Sequence, residues 1–359
     1  GVLTSVHAFA TDPTRGIYHF RKPITIAELY LALVKFNDAL TAYQDVIDQA
    51  PPGSPEYANA DMGRARVQLE RGELDDAIRS FRAILERAAG RNAGRMGEAH
   101  YYLAQALDFA GRSAEAMEAV SLIETGSVGN AVLVRARILE AFCLFELNLR
   151  DAAFGLLQST VDWDGATDDD RLRARLGMVR LDVVANDYRS AKERIAAIIA
   201  DPSLTGARAA PALTEQAVVA WLSRDMSLAL RCAQRVVSEH SNVRGDVWLA
   251  WLLCSLCLHS LGQIVESTVL LRKATDTDDH SGRALMRYAI KEIDVNDLIR
   301  HVQEATPYTD RGPIAFWAAE TARARGQLKD AQKLYRIAAD VTPDKRFPRA
   351  QARIQLESL

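Results

Sequence analysis

The sequence predicts an all-α protein made of about nine helix–turn–helix units, and three observations carry that prediction. A small residue recurs at Ala39, Ala77, Ala116, Ala153, Ala191, Ala229 and Ser267, with Leu298 and Ala331 closing the series; successive separations are 38, 39, 37, 38, 38, 38, 31 and 33 residues. A second, mostly small, residue stands twelve positions before each of these: Ala27, Ala65, Ala104, Ala141, Val179, Ala217, Ser255, Met286 and Ala319. Around both sets the apolar residues fall at i, i+3, i+4 and i+7, as in Leu103, Ala104 and Leu107, which is the period of an amphipathic helix rather than a strand.

The elements follow in order. KFNDALTAYQ around Ala39 begins the series, and GELDDAIRSF, GRSAEAMEAV, NLRDAAFGLL and NDYRSAKERI surround Ala77, Ala116, Ala153 and Ala191. RDMSLALRCA, GQIVESTVLL and GQLKDAQKLY surround Ala229, Ser267 and Ala331, and VNDLIRHVQ around Leu298 is a degenerate copy. Five residues before the small one stands a turn former in most copies: Gly72, Gly111, Asn148, Asn186, Gly262 or Gly326. Four residues after it stands Phe81, Val120, Leu157, Ile195, Leu271 or Tyr335. Each unit is thus a helix, a tight turn and a second helix. Pro51, Pro202, Pro307 and Pro343 end second helices, because proline lacks an N–H and fixes φ. Ser54-Pro55-Glu56 and Thr167-Asp168-Asp169-Asp170 supply capping oxygens and negative charge where first helices start.

The best copies, AHYYLAQALDFAGRSAEAMEAVSLI (Ala99–Ile123), WLLCSLCLHSLGQIVESTVLLRKA (Trp251–Ala274) and FWAAETARARGQLKDAQKLYRIAADVTP (Phe316–Pro343), resemble the tetratricopeptide repeat. The resemblance covers about residues 24–345 and implies a right-handed superhelical solenoid. The family unit is about 34 residues, whereas the first seven anchors here average 38, about one extra helical turn per unit. Three regions are expected: a non-repeat segment 1–22, the array 23–345, and a C-terminal capping helix 346–359. The shorter spacing of the last copies lets the array change curvature near 275–300.

Composition narrows the function. Lys+Arg 44 against Asp+Glu 47 gives a net charge of -3, which advertises neither a nucleic-acid groove nor a charged membrane surface. A hydrophobic fraction of 48% with 25% charged residues excludes global disorder. Trp248–Leu261 is the most apolar stretch, but it is shorter than the roughly 20 residues of a membrane span. The opening residues contain no charged start followed by an apolar run, so a cytoplasmic chain is expected. Cys143, Cys232, Cys254 and Cys257 read as reduced core thiols; Cys254 and Cys257 form C-x-x-C without a second pair to complete a zinc site.

Catalytic signatures are missing from the sequence: there is no metalloprotease His-Glu spacing, no phosphate loop with its lysine and no nucleophile elbow. No enzyme activity, cofactor or metal is therefore expected. Asp276-Thr-Asp278-Asp279-His280-Ser-Gly282 opens like a calcium loop but has Arg287 where the twelfth-position glutamate belongs, and Asp162-Trp-Asp164-Gly165 fails likewise at Arg173. Both read as acidic linkers. The basic run Arg87, Arg91, Arg95, with Gly90, Gly94 and Gly97, reads as an inter-repeat loop, with contact to an anion as its alternative.

The resemblance further implies that the residues three before, one after and four after the first small residue line a concave face. On this chain these are Met62, Arg66 and Leu69; Tyr101, Gln105 and Asp108; Ile138, Phe142 and Phe145; Leu176, Arg180 and Val183; Thr214, Val218 and Trp221; and Leu252, Leu256 and His259. Tyr101, Gln105, Asp108, Phe142, Phe145, Arg180, Trp221, Leu256 and His259 are the expected partner groove, receiving an extended or helical protein segment. The rival is that the longer helices bury these side chains between units. The family's carboxylate-gripping variety needs Lys and Asn at these sites, and this chain has none.

The leading expectation is a non-catalytic scaffold for a protein or peptide partner, with a larger complex open. The alternative is the sensor or regulatory region of a larger protein, such as a transcription regulator, kinase or caspase-like protease. GVLTSVHAFATDPTRGIYHFRKPITIAELY resembles, over only thirty residues, the last helix and following segment of caspase-like peptidase domains. That stretch contains no catalytic Cys or His pair, since no cysteine of the chain precedes Cys143. An all-helical toroidal enzyme is disfavoured by the absence of a His/Cys/Asp cluster.

Overall fold

A computed structural model describes residues 18–88, 93–124, 126, 128–240, 247–275, 280–341 and 347–358. These contain nineteen α-helices and no strand. The pairs are α1 Tyr18–Ala32 and α2 Phe36–Gln49, α3 Pro55–Arg71 and α4 Leu74–Ala88, α5 Ala93–Phe109 and α6 Ser113–Ser121, α7 Asn130–Glu146 and α8 Arg150–Val161. Next come α9 Asp168–Val184 and α10 Tyr188–Ile199, α11 Ala209–Leu222 and α12 Met226–Glu239, α13 Val247–Ser260 and α14 Ile264–Thr275. The last pairs are α15 His280–Ala289 and α16 Val295–Ala305, α17 Tyr308–Ala324 and α18 Leu328–Asp340; α19, Arg349–Ser358, follows. This is the expected all-α class, with nine helix pairs in the expected register. Residues 1–17, which hold most of the expected N-terminal segment and of the peptidase-like stretch, lie outside the described residues, as does most of the acidic run 276–280.

The periodic small residues are where successive helices touch. Ala39, Ala77, Ala116, Ala153, Ala191, Ala229 and Ala331 have no exposed surface, and their partners Ala27, Ala65, Ala104, Ala141, Val179, Ala217 and Ala319 are equally closed. Ser255 and Ser267 fill both places in one unit. Their hydroxyls are 2.7 Å apart, and Ser267 Oγ also donates to the Ser255 carbonyl at 2.9 Å, so the polar pair is satisfied within the core.

The inter-helix turns share one geometry. Gly72, with φ +77°, sits just past α3; its N–H bonds to Leu69 O and the N–H of Glu73 reaches back to Gln68 O, a left-handed cap that satisfies the last carbonyls of the helix. Asn148, Asn186, Val34, Arg224 and Lys291 also have positive φ. Val34 and Arg224 occupy the glycine place in two units where the sequence offers no turn former. At first-helix starts, Ser54 caps Tyr57 N–H, and Thr167 forms a reciprocal capping box with Asp170.

The chain forms two compact units: residues up to Leu133 with Glu304–Thr309, and Val134–Gln303 with Asp310–Leu359. In the first unit the core runs through Phe36, Tyr43, Val46 and Val67. Gly63 must be glycine, since a Cβ there would stand 2.3 Å from the Tyr43 ring. Tyr308 packs edge-to-face on Phe109, with centroids 5.6 Å apart. In the second unit one large cluster joins α11 to α18, and smaller ones lie between α7 and α9 and between α9 and α11.

Candidate binding surface

In the first unit, Tyr101 and Gln105 on α5 are half-buried. The ring of Tyr101 meets Tyr102 edge-on at 5.2 Å, and the guanidinium of Arg66 lies over Tyr102 at 5.2 Å. Asp108, expected on the same face, is fully buried at the end of α5. It therefore cannot meet a partner in this conformation.

In the second unit the expected ladder divides. On α7, Phe142, Phe145 and Ile138 are half-buried, resting on Ala141, Leu157 and Met178 with one side of each open. At Gly177 a Cβ would make ordinary contacts with Leu157 at 3.4 Å and Ile138 at 4.0 Å, so α9 lies against both side chains. Arg180 on α9 is exposed and donates to Glu215 of α11 at 3.0 Å, fixing a charged pair on the next first helix. His259 is half-buried at the end of α13. Trp221 and Leu256 correct the open-groove expectation: Trp221 is 2% and Leu256 3% exposed.

The cause for Trp221 lies 99 residues further along. Its indole Nε1 donates to Glu320 Oε2 at 2.9 Å. Glu320, only 1% exposed on α17, also accepts from Tyr335 Oη and from Arg323 at 2.7 Å. Burial and the adjacent Glu320 carboxylate push the Tyr335 hydroxyl far up. The sequence held the signal. The rule that selects Trp221 on α11 also selects Glu320 and Arg323 around Ala319: Glu320 meets the indole, and Arg323 bonds Glu320.

A second buried carboxylate, Asp182 on α9, is bonded by Arg194 at 2.7 Å and Arg150 at 3.3 Å, and both guanidiniums also lie on the faces of Phe154 at 4.9 and 5.5 Å. Burial outweighs the two arginines and raises its pKa. These groups tie α8, α9 and α10 together. Of the basic run, Arg87 bonds Asp61 and Arg95 donates to Asn59 at 2.9 Å, so both serve as links to α3. Cys254 and Cys257 are buried within α13, and burial pushes both thiols up to about 12. Among the described residues no cluster of His, Cys, Asp and Glu could hold a metal, and no helix is long and apolar enough to cross a membrane.

Residues 24–92 match the family model of the tetratricopeptide repeat. With that match in the first copies and the same helix pair recurring to α18, the chain is an all-α array with a tetratricopeptide-like repeat fold. A Rap protein complexed with competence and sporulation factor is similar in fold, with a TM-score of 0.54 and 13% identity over 93% of this chain and 89% of that one. A tetratricopeptide repeat protein from Parabacteroides merdae matches at TM-score 0.48 and 13% identity, over 76% of this chain and 97% of its own. The apo form of the quorum sensor NprR from B. thuringiensis matches at 0.41 and 11%, over 95% and 92%. No curated protein sequence matches the chain.

Proposed function

We propose that the chain is a non-catalytic interaction protein whose second unit receives a segment of a protein or peptide partner along the first-helix face of α7 and α9. The observation that carries this reading is the contrast within one ladder. Phe142 and Phe145 on α7 are only half-buried, and Arg180 on α9 is exposed and paired with Glu215, whereas Trp221 and Leu256 are closed by the fold. Aromatic and arginine side chains are enriched at protein interfaces. A regulatory role within a larger protein is the narrower form of this reading. It is favoured by the fold likeness to the Rap protein, which is bound to competence and sporulation factor.

Phe145→Ser and Phe142→Ser should abolish capture of the partners that the wild-type chain retains, with little change in melting temperature. Trp221→Ser is the contrasting variant, expected to unfold the second unit. Partner capture that survives both phenylalanine changes would refute the proposed surface.

A further inference from the structure

The two sides of α14 differ in what they meet. Its inner side is closed: Ser267, Leu271 and Ala274 are buried, and the Ser267 hydroxyl is bonded to Ser255 of α13. Its outer side is aliphatic. Val265 is 73% and Val269 50% exposed, one helical turn apart on the same face. Ile264, at the start of the helix, and Leu261, in the turn before it, are exposed as well.

This face departs from the other repeats. Counted from the periodic small residue, Val265 stands two positions before Ser267 and Val269 two after. The same two places hold Asp75 and Arg79 on α4, Arg189 and Glu193 on α10, and Lys329 and Lys333 on α18, all exposed. Of the second helices, α14 alone has aliphatic residues at both places. The repeat packing therefore does not require valine there. Single exposed apolar residues are ordinary, but four large ones between Leu261 and Val269 form the kind of patch that a partner covers.

The charges on α14 indicate which partner. Its acidic residue, Glu266, lies in the first turn and its basic residues, Arg272 and Lys273, in the last. Glu266 and Lys273 are nearly two helical turns apart, so they lie along one edge of the valine face. A second α14 laid antiparallel across this face sets the acidic end of each helix beside the basic end of the other, with valines between; laid parallel, it sets like charge against like. The surface is thus complementary to itself under a two-fold axis, the commonest symmetry of protein oligomers.

We infer that the outer face of α14 is a self-association surface, on which a second copy of this chain docks through its own α14 in antiparallel orientation. A contact centred on one twelve-residue helix is small, so the dimer forms and dissociates with concentration. It is separate from the α7–α9 surface, and neither reading depends on the other.

Sedimentation velocity of the full chain tests it. Wild type should pass from monomer to dimer as its concentration rises from about 1 to 200 µM, the range of a weak complex. Val265→Glu and Val269→Glu leave the core alone and should each weaken the dimer about tenfold or more. Glu266→Lys and Lys273→Glu should each weaken it by placing like charges together, yet an equimolar mixture of these two variants should associate, since each supplies the charge the other now needs. Circular dichroism establishes that each variant is folded, and the two charge reversals keep the test open should a valine variant not be. A wild-type chain that stays monomeric over this range overturns the inference, whatever other molecule covers the face. A dimer that survives both valine changes lies elsewhere on the protein and overturns it too. So does a mixture of the charge-reversed variants no more associated than either one alone.

Discussion

Trp221 and Glu320 bond to one another from helices α11 and α17, 99 residues apart, at a site closed to solvent. In an idealised solenoid each repeat meets only its neighbours and stability is a sum of adjacent interfaces. Here a side chain of the sixth helix pair depends on one from the ninth.

That dependence is measurable. Glu320→Ala strips the acceptor from Trp221, Tyr335 and Arg323 together and should cost about 3–5 kcal/mol, the range for breaking a buried charged pair. Trp221→Phe removes one donor and should cost about 1–3 kcal/mol. Urea denaturation followed by circular dichroism checks both, and a Glu320→Ala loss below about 1 kcal/mol would contradict the bond.

The turn geometry makes opposite forecasts at two positions. Lys291 is exposed and has φ +64°, a conformation glycine adopts freely, so Lys291→Gly should stabilise the protein by about 1 kcal/mol. Gly72→Ala should destabilise it, because φ there is +77° and the new Cβ would stand 2.3 Å from the Tyr308 ring. Thermal melts of the two variants should shift in opposite directions.

Cys254 and Cys257, with thiols pushed up to about 12 by burial, should resist a disulfide-exchange reagent at neutral pH until the protein is denatured. Rapid labelling of either in the native state would show that α13 opens without global unfolding.

Acid should act through Asp201. Hydrogen bonds from the Ser203 hydroxyl and N–H, followed by that of Arg175, lower its pKa from 3.8 to about 2. A lowered carboxylate pKa contributes stability above the unfolded value, and that contribution is lost as pH falls from 3.8 to about 2. Asp201→Asn should be less stable than wild type in the neutral range, and the difference should disappear as pH falls through that window. Asp182, raised by burial, contributes with the opposite sign.

The helix pairs were legible in the sequence because each imposes a local requirement: Ala77 or Ala153 must be small where helices cross, and Gly72 or Asn148 must take a left-handed turn. Val34 and Arg224 were not legible as turn residues, since their geometry comes from the helices on either side. The partner groove was legible only as a register. The rule placed Trp221, Leu256 and Phe145 in equivalent positions, but exposure depends on what else approaches. Phe145 remains half-open, while Trp221 meets Glu320, a contact that no nearest-neighbour pattern encodes.

The Trp221–Glu320 bond also sets an order of events at the ribosome. With translation at about 5–20 residues per second, Glu320 is added roughly 5–20 s after Trp221. Throughout that interval the nascent second unit carries the indole of α11 without its carboxylate. A chain halted in this stretch would have a complete set of early repeats and an unfinished apolar wall, a natural substrate for chaperones or for aggregation.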